Sequence, residues 1–423
     1  MGVLVAIDGD LRTLQEDSGA IFAEDGVVRT YDNEEDANAA LANGAVLVDR
    51  SHWGRLRLSG SDRLKFLHGQ STAHFLGLQP GQGLDTVFVT AQARTLDLAT
   101  CLVQESGVLV VASPSMRHAL RERLDKHILY GDDVKVTDVT DRCCMFSLAG
   151  PDAAALLGRL GAAGLADGPQ HAHAVFACAG APVLAAAGAG LGDAFPGATL
   201  VADEAVAAEL WARLLAEGAV PMGEEGWDEA RVLAGRPAPG AELTEEHTPL
   251  EAGLGGAVSL DKGCYIGQET LAKVAKLDAV KQQLWGLELA VPASLGADIS
   301  AGEGGARMGT ITSAAGGLDG RPFALGYLRC RSRGAQVKLE GSDVWVAGSG
   351  RARVVRPPFL SHAPVAVGGA QAAPTAPADA AASAARDGDR AAEQQQEAAA
   401  KAARLKEMQE RLAAWQAQQQ ASQ

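Results

Sequence analysis

Apolar and polar positions repeat along this chain with two different periods. A period of two predicts a strand at 45–48 and neighbouring antiparallel strands at 85–90, 95–103 and 108–112, separated by polar or glycine-containing turns. Apolar residues at spacings of four predict a helix over 116–128. Strand pairs interleaved with helices indicate an α+β layer and not a doubly wound parallel sheet.

Changes in the pattern divide the chain into segments. The stretch from Cys143 shows a strand that runs into a helix start, and a helical period over 205–217. The glycine-rich stretch after residue 281 holds several short strand-forming pieces, which is typical of a small β-barrel. We predict an acidic lead-in at 1–43, a first α+β unit from 44–142 plus 224–280, a second α+β unit at 143–223, a barrel at 281–358, a disordered linker at 359–390 and an Ala/Gln-rich helix at 391–423.

The last segment has two interpretations. Leu405, Met408, Leu412 and Trp415 have the three–four spacing of a coiled-coil seam, so residues 391–420 could contact a partner helix. About two heptads are too few to establish such pairing, and a solvated single helix is the alternative.

Charge and hydropathy exclude several protein classes. The chain carries 52 acidic and 37 basic residues, a formal charge of −15, which disfavours nucleic acid as a partner. No apolar run approaches the roughly 18 residues of a membrane span. The acidic opening resembles neither a secretory signal nor an arginine-rich transit peptide. If the protein works in an organelle, we expect that its targeting segment has been removed from this chain.

Cysteines and histidines predict no metal site. The six cysteines form no CxxC pair and no zinc-ligand spacing, which favours reduced and mostly buried thiols. His171 and His173 lack a nearby third ligand, so we place them in a surface turn. Gly188–Gly192 resembles a dinucleotide-binding turn, but Asp193 stands where the third glycine belongs.

One segment, residues 262–270, combines several reactive features. Gly263 and Gly267 flank a Cys-Tyr-Ile triplet and permit backbone angles that a Cβ forbids. Lys262 and the start of a helix predicted from Gln268 to Lys276 would favour a thiolate at Cys264. The alternative is a tight structural turn with an incidental buried cysteine.

The same segment carries a family resemblance. It is similar to the signature of the YgfZ family, folate-binding relatives of the glycine-cleavage aminomethyltransferase, and only Ile266 falls at a variable position. Segments 66–73, 85–97, 214–223, 235–239 and 249–253 resemble the plant-plastid branch, so that the likeness covers about residues 45–350. The positions that match the signature are Lys262, Gly263, Cys264, Tyr265, Gly267, Gln268 and Glu269.

The resemblance implies a three-domain clover-leaf around a central cavity that holds tetrahydrofolate, with Cys264 and Lys262 as catalytic residues. Asp97 matches the acid beside the reacting nitrogen of the folate, whereas Leu98 replaces the second acid usual in aminomethyltransferases. Arg231 would bind the glutamate carboxylate of the folate, or else form a surface salt bridge, and Glu251 would contact the pterin.

For function, the resemblance implies folate-dependent assembly or repair of iron–sulfur clusters, with client enzymes or assembly factors as partners. The alternative is a tetrahydrofolate-dependent aminomethyl transferase, although Leu98 argues against an efficient one. A third interpretation is an interaction scaffold that uses the C-terminal segment. The plastid-like segments imply a chloroplast location, with a cytoplasmic or mitochondrial setting as the alternative.

Overall fold

The computed structural model describes residues 9–165, 168–318, 320–332 and 335–362. Most of the predicted linker and the whole predicted helix at 391–423 lie outside these residues. Within them, no helix is long and apolar enough to cross a bilayer.

Helices are interleaved with groups of strands as far as α8, and strands β14 to β21 follow it. The helices are α1 (Gly9–Asp17), α2 (Glu34–Asn43), α3 (Arg63–Gln70), α4 (Arg117–Lys126), α5 (Ala153–Arg159), α6 (Ala207–Ala216), α7 (Glu224–Ala234) and α8 (Gln268–Lys276). The strands are β1 (Ile21–Phe22), β2 (Val28–Thr30), β3 (Val46–Asp49), β4 (Gly54–Ser59), β5 (Gly83–Val89), β6 (Thr95–Gln104), β7 (Gly107–Ala112), β8 (Lys135–Asp138), β9 (Cys143–Ala149), β10 (His173–Cys178), β11 (Ala181–Ala187), β12 (Gly197–Asp203), β13 (Val220–Met222), β14 (Gln282–Leu289), β15 (Asp298–Ser300), β16 (Arg307–Ala315), β17 (Phe323–Arg329), β18 (Arg331–Ser332), β19 (Ala335–Gln336), β20 (Asp343–Val346) and β21 (Gly350–Val355).

The first large sheet is antiparallel and has the order β5-β6-β7-β4-β8. It contains the three neighbouring strands predicted between 85 and 112. Helices α3 and α4 cover one face, where Phe66, Leu120 and Leu124 pack against strand residues such as Phe88. The helix predicted over 116–128 is confirmed as α4, which follows a short 3-10 turn. The opposite face of this sheet packs against the second sheet.

The second large sheet has the order β10-β11-β12-β9-β3-β13, with only β13 and β3 paired in parallel. Trp211 of α6 packs edge-on against Phe146 at 5.2 Å between ring centroids. Leu11 and Tyr31 are buried in the same core. The predicted boundaries at 44 and 143 therefore do not follow the sheets, because β3 pairs with β9 and the acidic lead-in supplies apolar side chains that this core needs.

The third unit is a closed barrel with the order β14-β17-β16-β15-β20-β21, as the sequence predicted. Its interior is apolar and includes Trp285, Leu287 and Val344. Two short strands, β15 and β21, were not predicted as separate elements, because neither has a long alternation of its own. They close the barrel through pairing with β16, β20 and β14.

The two large sheets face each other on the sides that their helices leave open. Leu102 and Leu109 of the first sheet pack against Leu184 and Ala186 of the second. Beside this apolar contact the two sheets are farther apart. Loops of both sheets border the space that is left between them.

Candidate functional site

A cavity of about 40 Å³ lies between the two sheets. This volume holds a few water molecules, so a larger ligand would have to move the walls apart. Its apolar walls and hydroxyl groups come mainly from both sheets, and its charged groups come from the loops. The lining residues are Arg50, Trp53, Thr100, Leu102, Val111, Met145, Ser147, His171, Ala186, Ala187, Gly188, Ala189, Gly190, Thr199, Trp227 and Arg236.

Arg50 follows β3 and is 2% exposed. Its guanidinium lies over the rings of Trp53 and Trp227, at 4.0 and 3.8 Å from their centroids. Nε of Arg50 forms an ion pair with Oε2 of Glu224 at 3.6 Å, slightly longer than a hydrogen bond. Nε and Nη2 of Arg50 have no hydrogen-bond partner among the described residues. Burial lowers the pKa of Arg50 to about 9.

Arg236 enters the same cavity from the loop after α7 and is also buried. Its guanidinium lies 5.1 Å from the Trp53 ring centroid, and Nη2 donates to the Leu98 carbonyl at 3.4 Å. Burial lowers the pKa of Arg236, and the carboxylates of Asp85 and Asp97 only partly offset this effect. The cavity thus contains two buried guanidinium groups near one indole ring.

His171 forms an ion pair with Asp85 across the two sheets, with 3.3 Å between Nε2 and Oδ2. Thr100 donates to the other oxygen of Asp85 at 2.6 Å. Burial would lower the pKa of His171, but Asp85 outweighs it and raises that pKa. Burial would raise the pKa of Asp85, but chiefly His171 lowers it to about 2.

The prediction of a surface turn for the two histidines is wrong. The side chain of His171 is only 17% exposed, and its φ of +65° is unusual for a residue with a Cβ. His173 is buried, with Nε2 at 2.9 Å from the Val103 carbonyl. Gly188 and Gly190, in the turn that the sequence left without a role, line the cavity at positive φ.

Asp97 is fully buried in β6, and Ser113 occupies both of its oxygens. The Ser113 amide donates to Oδ2 at 3.0 Å and the hydroxyl donates to Oδ1 at 2.7 Å. Burial raises the pKa of Asp97, although these two bonds oppose the rise. Asp97 does not line the cavity, but its neighbour Leu98 accepts the hydrogen bond from Arg236.

Arg231 forms salt bridges with Asp228 and Glu242, as in the second of its predicted roles, although its own guanidinium is buried and not at the surface. It donates to Asp228 at 2.7 Å, Glu242 at 3.0 Å and Ser313 at 3.0 Å. Because Ser313 belongs to the barrel strand β16, this network ties α7 to the barrel. Arg231 is therefore an internal brace, since its donors are engaged before any ligand binds.

Glu251 is likewise engaged locally. Its Oε2 accepts from the amide and hydroxyl of Thr248 at 2.9 and 3.1 Å. Arg94 lies 3.9 Å from the same oxygen. The structure therefore places Glu251 in a loop contact and not among the cavity-lining residues.

Lys262, at the start of the motif, is buried, and its ammonium contacts the C-terminal end of α3. Its ammonium donates to the carbonyls of His68, Ser71 and Ala73 at 2.5, 2.6 and 2.6 Å. It also lies 4.5 Å from the Tyr265 ring centroid. Burial lowers the pKa of Lys262 to about 7. Since three carbonyls use its three donors, activation of a thiolate is not the role that this geometry supports.

The rest of the motif forms an anchored loop that presents Cys264. Gly267 has φ +84° and begins α8, whose predicted bounds of 268–276 are confirmed. Gln268 accepts from the Tyr265 amide at 3.0 Å, and Tyr265 is buried. Cys264 is exposed, so the alternative of an incidental buried cysteine is wrong. Gly263 and Glu269 are exposed beside it.

The sequence reasoning missed the polar groups of the cavity. Arg50, Trp53 and Arg236 belong to no motif with a fixed spacing, and His171 was assigned to the surface. A signal was present in Gly235-Arg236-Pro237, part of a segment used for the resemblance. Nothing in that segment, however, indicates which other residues Arg236 meets.

Comparison with known proteins agrees with this architecture. The solved aminomethyltransferase T of the Bartonella henselae glycine cleavage system superposes with a TM-score of 0.70 at 23% identity, over 84% of this chain and 98% of that one. At this identity the likeness establishes the fold, which is that of an aminomethyltransferase with a C-terminal barrel.

Sequence comparison extends the likeness. A protein of Arabidopsis thaliana, named as a putative transferase of the chloroplast, is 42% identical over 76% of this chain and 74% of its own. The aminomethyltransferase of Streptomyces avermitilis is 31% identical over 70% and 82%. The profile described as the GCVT N-terminal domain matches residues 22–262. On the extent of these matches, the chain belongs to the GCVT aminomethyltransferase family.

Proposed function

We propose that this protein is a tetrahydrofolate-binding protein of the YgfZ type, which supports assembly or repair of iron–sulfur clusters in client enzymes. The observation that carries the proposal is the placement of Cys264. It is the exposed thiol of the described residues, whereas Cys101, Cys144 and Cys178 are buried. A thiol at the surface can react with a partner protein, and a buried one cannot without local opening.

The residues of the cavity fit a reduced folate. Such a ligand combines flat rings with carboxylates, and the cavity offers two indole rings, apolar walls and two guanidinium groups. The unpaired N–H groups of Arg50 are donors that a carboxylate would satisfy. When bound, tetrahydrofolate supplies nitrogen atoms that carry one-carbon units. Arg50, Arg236, Trp53 and Trp227 would hold it.

The motif loop keeps Cys264 at a defined position. Lys262 fixes the loop to the end of α3, and the Ile266 amide donates to the Gly69 carbonyl at 3.1 Å. Gly267 then turns the chain into α8. One cysteine cannot hold an iron–sulfur cluster, which usually needs four ligands. Cluster iron and sulfide are therefore substrate or cargo here, and Cys264 acts on them together with groups of a partner.

Two features argue against efficient aminomethyl transfer. Ser113 engages both oxygens of Asp97, and Leu98 stands where the family's enzymes usually have a second acid. A location in the chloroplast is part of the proposal and rests on the Arabidopsis thaliana relative.

Complementation tests the proposal. A bacterium that lacks its own YgfZ protein is given the wild-type chain, Cys264→Ala, Cys264→Ser or the surface control Lys273→Ala, and the activities of its iron–sulfur enzymes are measured. We expect rescue by the wild type and by Lys273→Ala, which changes an exposed residue of α8. We expect none from the two Cys264 variants, because serine keeps the size but not the thiol.

Rescue by Cys264→Ala would show that the thiol is dispensable and would overturn the proposed chemistry. Absence of rescue by any variant, together with formation of methylene-tetrahydrofolate from an aminomethyl-lipoyl carrier, would favour the aminomethyl transferase alternative. Western blotting of each variant ensures that equal amounts of protein are compared.

A further inference from the structure

Two arginines that are distant in sequence meet in the cavity. Arg50 and Arg236 are 2% and 6% exposed, and both guanidinium groups lie over the ring of Trp53, at 4.0 and 5.1 Å from its centroid. Like charges so close and so deeply buried repel each other and have lost most of their hydration. A folded chain keeps such an arrangement only where other groups compensate the charge.

Compensation within the described residues is incomplete. Nε and Nη2 of Arg50 have no hydrogen-bond partner, and Glu224 approaches only to 3.6 Å. Arg236 donates one weak bond to the Leu98 carbonyl at 3.4 Å. By contrast, Arg231 has three partners between 2.7 and 3.0 Å. A buried donor without an acceptor is costly. Nε of Arg50 lies 3.6 Å from the Oε2 of Glu224, which has no other partner among the described residues, so Nη2 is the donor of Arg50 that could bind a ligand group.

The nearby acids are already engaged. Asp85 is held by His171 and Thr100, and Glu224 lies 3.5 Å from His52 as well as near Arg50. The two guanidinium groups therefore share carboxylates that also neutralise histidines, while Asp97 acts on Arg236 and Asp49 and Asp228 act on Arg50 from farther away. The remaining walls, such as Leu102 and Val111, are apolar and would not solvate a multiply charged phosphate.

We propose that Arg50 and Arg236 form a subsite for a carboxylate of the ligand that this cavity binds. The planar guanidinium fork matches a carboxylate through two parallel hydrogen bonds. The inference rests on the proposed folate binding and deepens it, because it moves recognition of the acidic group from the braced Arg231 to this pair. Two sources carry such a group: the glutamyl tail of a folate, or a free amino acid.

Three probes separate these sources: 5-formyl-tetrahydrofolate, the matching tetrahydropteroate without glutamate, and L-glutamate alone. Binding is measured by calorimetry and by the fluorescence of Trp53 and Trp227, which line the cavity. We expect the wild type to bind the complete folate at least tenfold more tightly than the pteroate. Only the folate has a glutamate carboxylate, and the loss of hydrogen bonds to a charged group weakens binding by about this factor. Arg50→Met and Arg236→Met should each remove most of that preference and leave pteroate affinity within about twofold.

The control is Arg121→Met, which changes a half-exposed arginine of α4 on the far side of the first sheet. It should bind all probes as the wild type does. If a methionine variant does not fold, Arg50→Lys or Arg236→Lys replaces it; each keeps a charge but loses the fork, and a smaller loss of the same preference is expected.

The outcomes separate this inference from the proposed function. Equal affinity of the wild type for folate and pteroate, or equal loss of both in the variants, would overturn the subsite while folate binding stands. Binding of L-glutamate alone that both variants abolish would support the subsite and assign it to a free amino acid. Failure of the wild type to bind either pterin compound would overturn the folate proposal itself, and the subsite with it.

Discussion

The motif loop and the cavity each bury a cation, and they treat it in opposite ways. In the motif, the ammonium of Lys262 donates to three carbonyls within 2.6 Å, so each of its hydrogens has an acceptor. In the cavity, Arg50 is more deeply buried but keeps two unpaired nitrogen atoms. A buried charge with all its bonds made is a structural brace, whereas one with unmet donors remains available to a ligand. Burial alone does not distinguish the two.

The largest effect should come from removal of the brace. Lys262→Met leaves the carbonyls of His68, Ser71 and Ala73 without their shared donor, and we expect a loss of about 3 kcal/mol in the free energy of unfolding. Urea unfolding followed by circular dichroism measures it, with Lys273→Met on the exposed face of α8 as the control. A Lys262→Met protein as stable as the wild type would remove the difference between the two regions.

A smaller effect is expected at the turn that presents Cys264. A Cβ at Gly267 would lie 2.9 Å from the Thr90 carbonyl oxygen and 3.0 Å from Val89, at a φ of +84°. Gly348 has nearly the same φ, +82°, but no atom within 4 Å of a Cβ. Gly267→Ala should therefore cost about 2 kcal/mol, and Gly348→Ala about 1 kcal/mol for the backbone strain alone.

Thermal unfolding of the two alanine variants gives this difference directly. If both glycine variants lose the same stability, close packing around the turn contributes nothing, and only its backbone conformation matters. If only Gly267→Ala also fails in complementation, the position of Cys264 depends on this turn.

The smallest effect is pH-dependent and concerns the cavity. Asp85 has its pKa lowered to about 2, so its contribution to stability is present above its ordinary value of 3.8 and is lost as the pH falls toward 2. His171 has its pKa raised above 6.5, so its contribution is present below that value and is lost as the pH rises through the raised pKa. The pair therefore stabilises the fold most between about pH 4 and pH 6.5.

His171→Gln should lower stability by about 1 kcal/mol at pH 5.5 and by less at pH 9, because the wild-type imidazole loses its proton as the pH rises through its raised pKa. Melting temperatures at the two pH values measure this, and His118→Gln on the exposed side of α4 is the control. The same loss at both pH values would mean that His171 contributes through packing and not through its charge.

Much of the fold was predictable from local pattern. The bounds of α8, the strands β5, β6 and β7 of the first sheet and the presence of the barrel follow from periods of two and 3.6, and these periods depend on neighbouring residues only. The acidic lead-in was misjudged, because few apolar residues separate its charges. Those few, including Leu11 and Tyr31, are nevertheless buried in the second core.

Site residues were predicted less well than elements. The motif was found, and Cys264 is exposed as a reactive thiol must be. Lys262 and Arg231 were given roles in binding or activation, yet acceptors that engage them, such as Ser71 for Lys262 and Ser313 for Arg231, lie far away in the chain. A sequence shows that a cation is present, but it does not show how many of its hydrogen bonds the fold itself will satisfy.

By itself, the sequence determined the family resemblance, several of the helices and strands, and the loop that carries Cys264, because each depends on residues that are close along the chain. Only the tertiary structure decided that Arg50, His171 and Arg236 share one cavity. They are separated by up to 186 positions in the numbering. Their meeting depends on two sheets that pack face to face, and no local period encodes that contact.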